Sequence, residues 1–389
     1  MGSGYGRSVS PFANGECYTL RMLLPPDLTQ RLTDIAGNSS LQFADLAAGT
    51  SAGLEVRFKH TAASAASATA GCIRAAELPD RRYLIASITK PVVTMMGVQL
   101  AAEGRLSLNE PVRDFVEGFN RGPLRNITIR HLMTHTSGLP DMLPNNTELR
   151  IQHSTLSDFV DHTAQITPDF VGGTDCRYSS MGIAVLAVII EQLTNSRLPE
   201  LLHHRLFKPL EMNSSWLGLP VDQAADLMPT VVPCELPPWQ QQASDWNWNS
   251  LYWRTLGAPW GGMISTADDL GRLAIAILNR GASKTGEDVL RDATILACTR
   301  NQTRHIAALA EADRIQRPWG LGWRFNWPDH ATCFSDFLPT SAFGHWGATG
   351  TMMWIDRRSE RWCVILTNQP YENSQTVIQR MSNLIATSM

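Results

Sequence analysis

Strand signals crowd both ends of this chain while the stretch between them is helical, and no other feature limits the fold as much. Near the N-terminus, after a helical PPDLTQRLTDIAGN (25–38), the segments GLEVRFKH (53–60) and ATAGCIRAA (68–76) read as strands, and RYLIAS (82–87) is extended. The last third returns to strands at LGWRFNW (321–327), SAFGHWGATGTMMWID (341–356) and RWCVILTN (361–368), closed by a helix at SQTVIQRMSNLIATS (374–388). Between them lie the helical patterns TIRHLMTH, TLSDFVDHTAQI, SMGIAVLAVIIEQLTN and LPELLHHRLFKPL, then a Trp-rich connection from about 221 to 255. A strand followed by a run of helices and then more strands predicts an α+β chain. Residues 1–86 and 256–389 would form a sheet domain from both termini, with a mostly helical domain, 87–255, inserted and a site at their junction. At 389 residues the chain has room for a deep cleft.

Several function classes lose support from composition. A net charge of −3 gives no electrostatic reason to expect nucleic acid as a partner. No apolar run approaches the length of a membrane span, and the opening MGSGYGRSVSPFANGE has no hydrophobic core of a signal peptide. The seven cysteines (17, 72, 176, 234, 298, 333, 363) are odd in number and scattered, without a C-x-x-C pair. That pattern suggests neither zinc nor a disulfide framework, and with it a reducing, cytoplasmic location is the expectation.

One stretch carries chemistry. In ASITKP (86–91), Ser87 stands three positions before Lys90, which places both on one side of a helix. Pro91 is tolerated only in a first turn, so the helix TKPVVTMMGVQLAAEG must start close to Ser87 and stop at Gly104. A serine there sits in the positive potential of free N–H groups, and a buried lysine beside it would have a lowered pKa and serve as its base. An N-capping serine is the plainer alternative.

The wider pattern resembles the serine β-lactamase and penicillin-binding-protein superfamily, in its class C β-lactamase, DD-peptidase and family VIII esterase branch. The resemblance rests on RRYLIASITKP, IRHLMTHTSGLPD, YSSMGIAVLAVIIEQLT, FKPLEM, GGMISTADDLGRL and FGHWGATG, in the family's order from about residue 80 onward. It implies an antiparallel sheet flanked by helices, with three motifs: Ser-x-x-Lys, a Tyr- or Ser-led triplet, and Lys-Thr-Gly or a His-x-Gly variant. Two literal matches stand in the wrong context: Lys284-Thr285-Gly286 lies in a turn after a helix, and Tyr371-Glu372-Asn373 opens the terminal helix. Tyr178-Ser179-Ser180 and His345-Trp346-Gly347 take the two places instead.

By this resemblance Ser87 is the nucleophile and Lys90 or Tyr178 the base, with a Tyr178 phenolate favoured by the nearby lysine. His345 donates toward substrate or holds Tyr178. The backbone N–H groups of Ser87 and Ala348 form the oxyanion hole, and Ser180, Trp346 and Gly347 contact substrate. Ser180 replaces an asparagine amide and Trp346 a hydroxyl-bearing residue, which weakens the case for β-lactams and D-Ala peptides. The expected function is a serine hydrolase acting on a small acyl substrate, foremost neutral carboxylic esters, with no cofactor. The alternatives are a DD-peptidase or weak class C-type β-lactamase on the same site, or a binding protein that kept the fold. His131 and His135 at i, i+4 invite a zinc reading, but Leu132 stands where H-E-x-x-H needs glutamate. Trp246, Trp248, Tyr252, Trp253 and Trp260 are candidates for an apolar acyl pocket or for plain packing.

Overall fold

The structure, a computed structural model, describes residues 26–63, 81–286 and 288–389. The strand expected at 68–76 lies outside them. The strands are β1 Phe43–Thr50, β2 Gly53–Thr61, β3 Tyr83–Leu84, β4 Trp216–Leu217, β5 Met263–Ser265, β6 Arg324–Phe325, β7 Phe343–Gly347, β8 Thr351–Asp356 and β9 Arg361–Thr367. Six of them form one antiparallel sheet in the order β2-β1-β9-β8-β7-β6, so the two ends of the chain meet at β1 and β9. β3, β5 and β4 make a second, small sheet.

β1 is the element that sequence reading passed over. FADLAAGT has few β-branched or aromatic residues, yet every position but Thr50 is buried. Its register between β2 and β9 puts Phe43 and Ala47 in the core that faces the helical region, and Ala44, Leu46 and Ala48 in a second core on the other face. Burial on both faces, rather than strand propensity, makes it a strand. Asp45 is accommodated inside by Arg81, 3.1 Å away, and by the Tyr83 hydroxyl, which donates to it at 3.1 Å.

The second core lies under the Pro26–Gly37 and Tyr371–Ser388 helices. The first continues from the sheet into the helical region, where the Thr89–Ala102 and Met181–Thr194 helices pack together. Residues 89–100 of the former are all buried. Gly104, at φ +73°, ends that helix in the left-handed region, which costs glycine least, while Arg105 N–H donates back to the Leu100 carbonyl.

Candidate active site

The segment carrying Ser87 is held from two sides. From one, Ile85 N–H donates to the Met263 carbonyl, and the Thr89 hydroxyl donates to the Ala86 carbonyl while accepting from Met263 N–H. From the other, the Thr349 and Thr351 hydroxyls donate to the carbonyls of Leu84 and Ile85. Gly347 permits that approach: a Cβ there would stand 2.3 Å from the Ile85 carbonyl oxygen. Ala86 takes φ +45°, an uncommon conformation for a residue with a side chain, immediately before the serine. A single turn of 3-10 helix, Ala86–Ile88, then leads into the Thr89–Ala102 helix.

Lys90 lies one turn on, almost fully buried, with Nζ 2.9 Å from Ser87 Oγ and donating to the Trp260 carbonyl at 2.7 Å. Burial lowers its pKa to about 7, against an opposing pull from Asp141. A substantial fraction of the amine is therefore neutral near pH 7, with a lone pair for the serine proton. The Ser-x-x-Lys spacing thus brings the two side chains into hydrogen-bond contact.

Tyr178 is brought to the same place by residues 135–141. His135, in the left-handed region at φ +58°, accepts from Arg177 N–H through its carbonyl and from Ser179 N–H through Nδ1. The Ser179 hydroxyl donates to the Pro140 carbonyl and that of Ser180 to Asp141. Tyr178 is thus clamped on both sides by one histidine whose ring packs 4.7 Å from its own. His131 accepts from Thr128 N–H and completes a capping box on the Ile129–Met133 helix. Each histidine of the i, i+4 pair has its own partner.

The expected phenolate is not what the structure favours. Lys90 Nζ sits over the face of the Tyr178 ring, 4.7 Å from its centre, rather than beside the oxygen. Burial raises the phenol well above its ordinary value and Asp141 adds to the rise; Ser87 and the cation of Arg324 oppose it more weakly. Tyr178 is a neutral phenol whose buried hydroxyl has no partner in good hydrogen-bond geometry, although Ser87 is near enough to influence it.

The third motif divides. Trp346 and Ala348 line the cleft with Ser87, Lys90, Tyr178 and Ser180. Neither Ser87 N–H nor Ala348 N–H is taken by a backbone acceptor among the described residues. His345 and Gly347 lie beneath the cleft surface. His345 Nδ1–H donates to the Trp346 carbonyl at 2.6 Å, and its ring is tilted 5.8 Å from that of Tyr178. Burial holds it well below the usual imidazole value, so it is neutral, with Nε2 unpartnered. His345 packs near the Tyr178 ring with no hydrogen bond between them among the described residues, and Gly347 permits the close backbone approach to Ile85.

The cleft holds about 500 Å³. Of the aromatic candidates, Trp248, Trp253 and Trp260 line it; Trp246 and Tyr252 do not. Tyr252 stacks on His153 and donates to the Ser154 carbonyl. Among the lining residues that escaped sequence reading are Trp239, Arg150 and Tyr371. Trp239 and Arg150 carry no motif. Tyr371, set aside as the start of a helix, does start one, but its ring stacks on Trp346 at 4.5 Å. Lys284 is exposed in a turn, 3.9 Å from Glu211, apart from this cleft.

A model of the β-lactamase family matches residues 59–387. Penicillin-binding protein 4 of Amycolatopsis lactamdurans is 30% identical over 275 residues, covering 70% of this chain and 67% of that protein. Among solved structures, a penicillin-binding protein homologue from Caulobacter crescentus superposes with a TM-score of 0.74 at 20% identity, covering 95% of this chain and 99% of the other. EstCE1, a hydrolase with promiscuous acyltransferase activity, superposes at 0.70 and 17% identity, covering 92% and 98%. The chain belongs to the β-lactamase family and is a serine hydrolase of that family.

Proposed function

We propose that the chain hydrolyses carboxylic esters through an acyl-enzyme on Ser87. The observation that carries the reading is Lys90 Nζ, 2.9 Å from Ser87 Oγ with its pKa lowered to about 7. Neutral Lys90 takes the serine proton as Oγ bonds to the acyl carbon. The oxyanion is met by the N–H groups of Ser87 and Ala348. As the carbon–oxygen bond to the alcohol breaks, the leaving alkoxide takes the proton held by Lys90, while the un-ionised Tyr178 hydroxyl donates a hydrogen bond to it. Water, deprotonated by the same lysine, then releases the acid and restores Ser87.

Esters are favoured over amide-bearing substrates by two features. The Ser180 hydroxyl is directed to Asp141, where an amide would read a substrate amide, and Trp346 is stacked against Tyr371 with no hydroxyl to offer. EstCE1, by its own activity as a hydrolase and acyltransferase, is a precedent for this fold.

The test compares p-nitrophenyl butyrate hydrolysis by the wild type and by Ser87→Ala at equal concentration. We expect turnover in the wild type and a loss of at least about 10³-fold in the variant, with a butyryl adduct on Ser87 in intact mass. Equal rates in the two proteins overturn the reading, and a long-lived penicilloyl adduct without ester turnover would replace it with peptide or β-lactam acylation.

A further inference from the structure

We propose that the cleft contains a carboxylate subsite formed by the Arg150 guanidinium, so that the preferred acyl substrate carries a carboxylate apart from its scissile carbonyl. The inference rests on acyl transfer at Ser87 and replaces the expectation of a neutral substrate.

Arg150 belongs to the Asn146–Ile151 helix and is 1% exposed, yet it lines the cleft. Its guanidinium lies over the Trp253 ring, 3.9 Å from the centroid, with Trp239 at 5.6 Å. Among the described residues it makes no ion pair, and its Nε and Nη1 are buried without a hydrogen-bond partner. Burial lowers its pKa to about 10, which leaves it charged at neutral pH.

Stacking on two indoles orients a guanidinium but satisfies none of its N–H donors. Buried arginines in proteins are ordinarily paired, because an unmatched charge in such a place is costly. Arg254, on the neighbouring Leu251–Leu256 helix, shows the ordinary case: it donates to the carbonyls of Trp248 and Val232 and to Asn249. Arg150 thus brings two unpartnered donors to the cleft lining, sealed just behind its surface, where an anion reaches them as the side chains over them shift. A planar anion that accepts through two oxygens matches that fork. Asn146, beside it in the cleft lining, also has a buried side-chain oxygen without a partner, so its amide is free to turn toward the same ligand.

The other charges in the lining do not compete for this role. Lys90 is engaged with Ser87 and the Trp260 carbonyl. Asp141 is engaged by the Ser180 hydroxyl and acts on Lys90 and Tyr178, and Glu372 is exposed, where solvent screens its repulsion of an anion.

Two substrate pairs locate the carboxylate. Mono-p-nitrophenyl glutarate against p-nitrophenyl valerate places it in the acyl chain, and 4-(butyryloxy)benzoate against phenyl butyrate places it in the leaving group. In the wild type we expect kcat/KM to favour the acid by about 10- to 100-fold in one series. Arg150→Met should abolish the preference and Arg150→Lys should recover part of it, with folding of each checked by its melting curve. An acid-to-neutral ratio near one in both series, or a preference that persists in Arg150→Met, overturns the proposal. Binding of glutarate to Ser87→Ala, followed by tryptophan fluorescence, reads the subsite without turnover. If no ester is hydrolysed but glutarate binds, and binding is lost in Ser87→Ala/Arg150→Met, the esterase reading fails while the subsite stands. No binding and no preference removes the subsite alone.

Discussion

The two walls of the cleft are built by different physics. On one, Ser87, Lys90, Tyr178 and Ser180 are fixed by short polar contacts: the lysine to a serine and a backbone carbonyl, and the residues beside the tyrosine to a histidine. On the other, Trp239, Trp248, Trp253 and Trp260 are held by packing, with ring centroids such as Trp253 to Trp260 at 6.2 Å. Hydrogen bonds fix directions to within tenths of an ångström, which proton transfer needs. Aromatic packing fixes a shape and tolerates change in what fills it. The polar wall is therefore expected to set whether acyl transfer occurs, and the aromatic wall to set which substrate and how stable the protein is.

Substitutions can break that division or sharpen it. The largest effect belongs to the polar wall: Lys90→Met should lower kcat/KM for a neutral ester by about 10³-fold. In the wild type the rate should rise with pH through about 7 as the amine loses its proton. The same group links pH to stability. Its folded pKa is lowered to about 7, while the unfolded chain keeps that proton to about 10.4. The unfolded state thus binds more protons between those values, and stability gains from this group as pH rises across that window. Denaturant titrations at pH 6.5 and 9 should show the gain reduced in Lys90→Met, and an identical pH dependence in both proteins would refute the link.

Next is the aromatic wall. Trp253→Ala removes a ring that is 3% exposed and should cost about 3 kcal/mol in urea unfolding. Ester turnover should change through KM more than kcat. A loss of kcat comparable to that of Lys90→Met would show that the walls are not separable.

The smallest effect tests the seam. Gly347→Ala forces a Cβ against the Ile85 carbonyl and the Thr351 hydroxyl, displacing the strand end that carries Ala348 from the segment of Ser87. We expect kcat to fall about 10-fold with KM little altered, as for an oxyanion donor moved off position. Unchanged kcat would remove Ala348 from that role.

The polar wall was largely legible in the sequence, because its chemistry needs particular residue types at short spacings. Ser87 and Lys90 are one helical turn apart, and Pro91 confines the start of the helix. Tyr178 precedes a strongly apolar helix. The aromatic wall was half legible: Trp248, Trp253 and Trp260 could be picked out as a cluster, but nothing local separates them from Trp246 and Tyr252, which face elsewhere. β1 was missed because an alanine-rich strand has no period to read when both of its faces are buried.

What the sequence determined by itself is the order of the elements, the serine–lysine pair and the family pattern, all of which are encoded within windows of a few residues. Only the tertiary structure decided the protonation of Tyr178, the withdrawal of His345 and Gly347 from the cleft surface, and the place of Arg150, buried without a partner, in the cleft lining. Each of these depends on burial and on charges brought from distant parts of the chain: Asp141 near Tyr178, Trp239 and Trp253 around Arg150. Desolvation and Coulomb forces act through space, so no local pattern of residues records them.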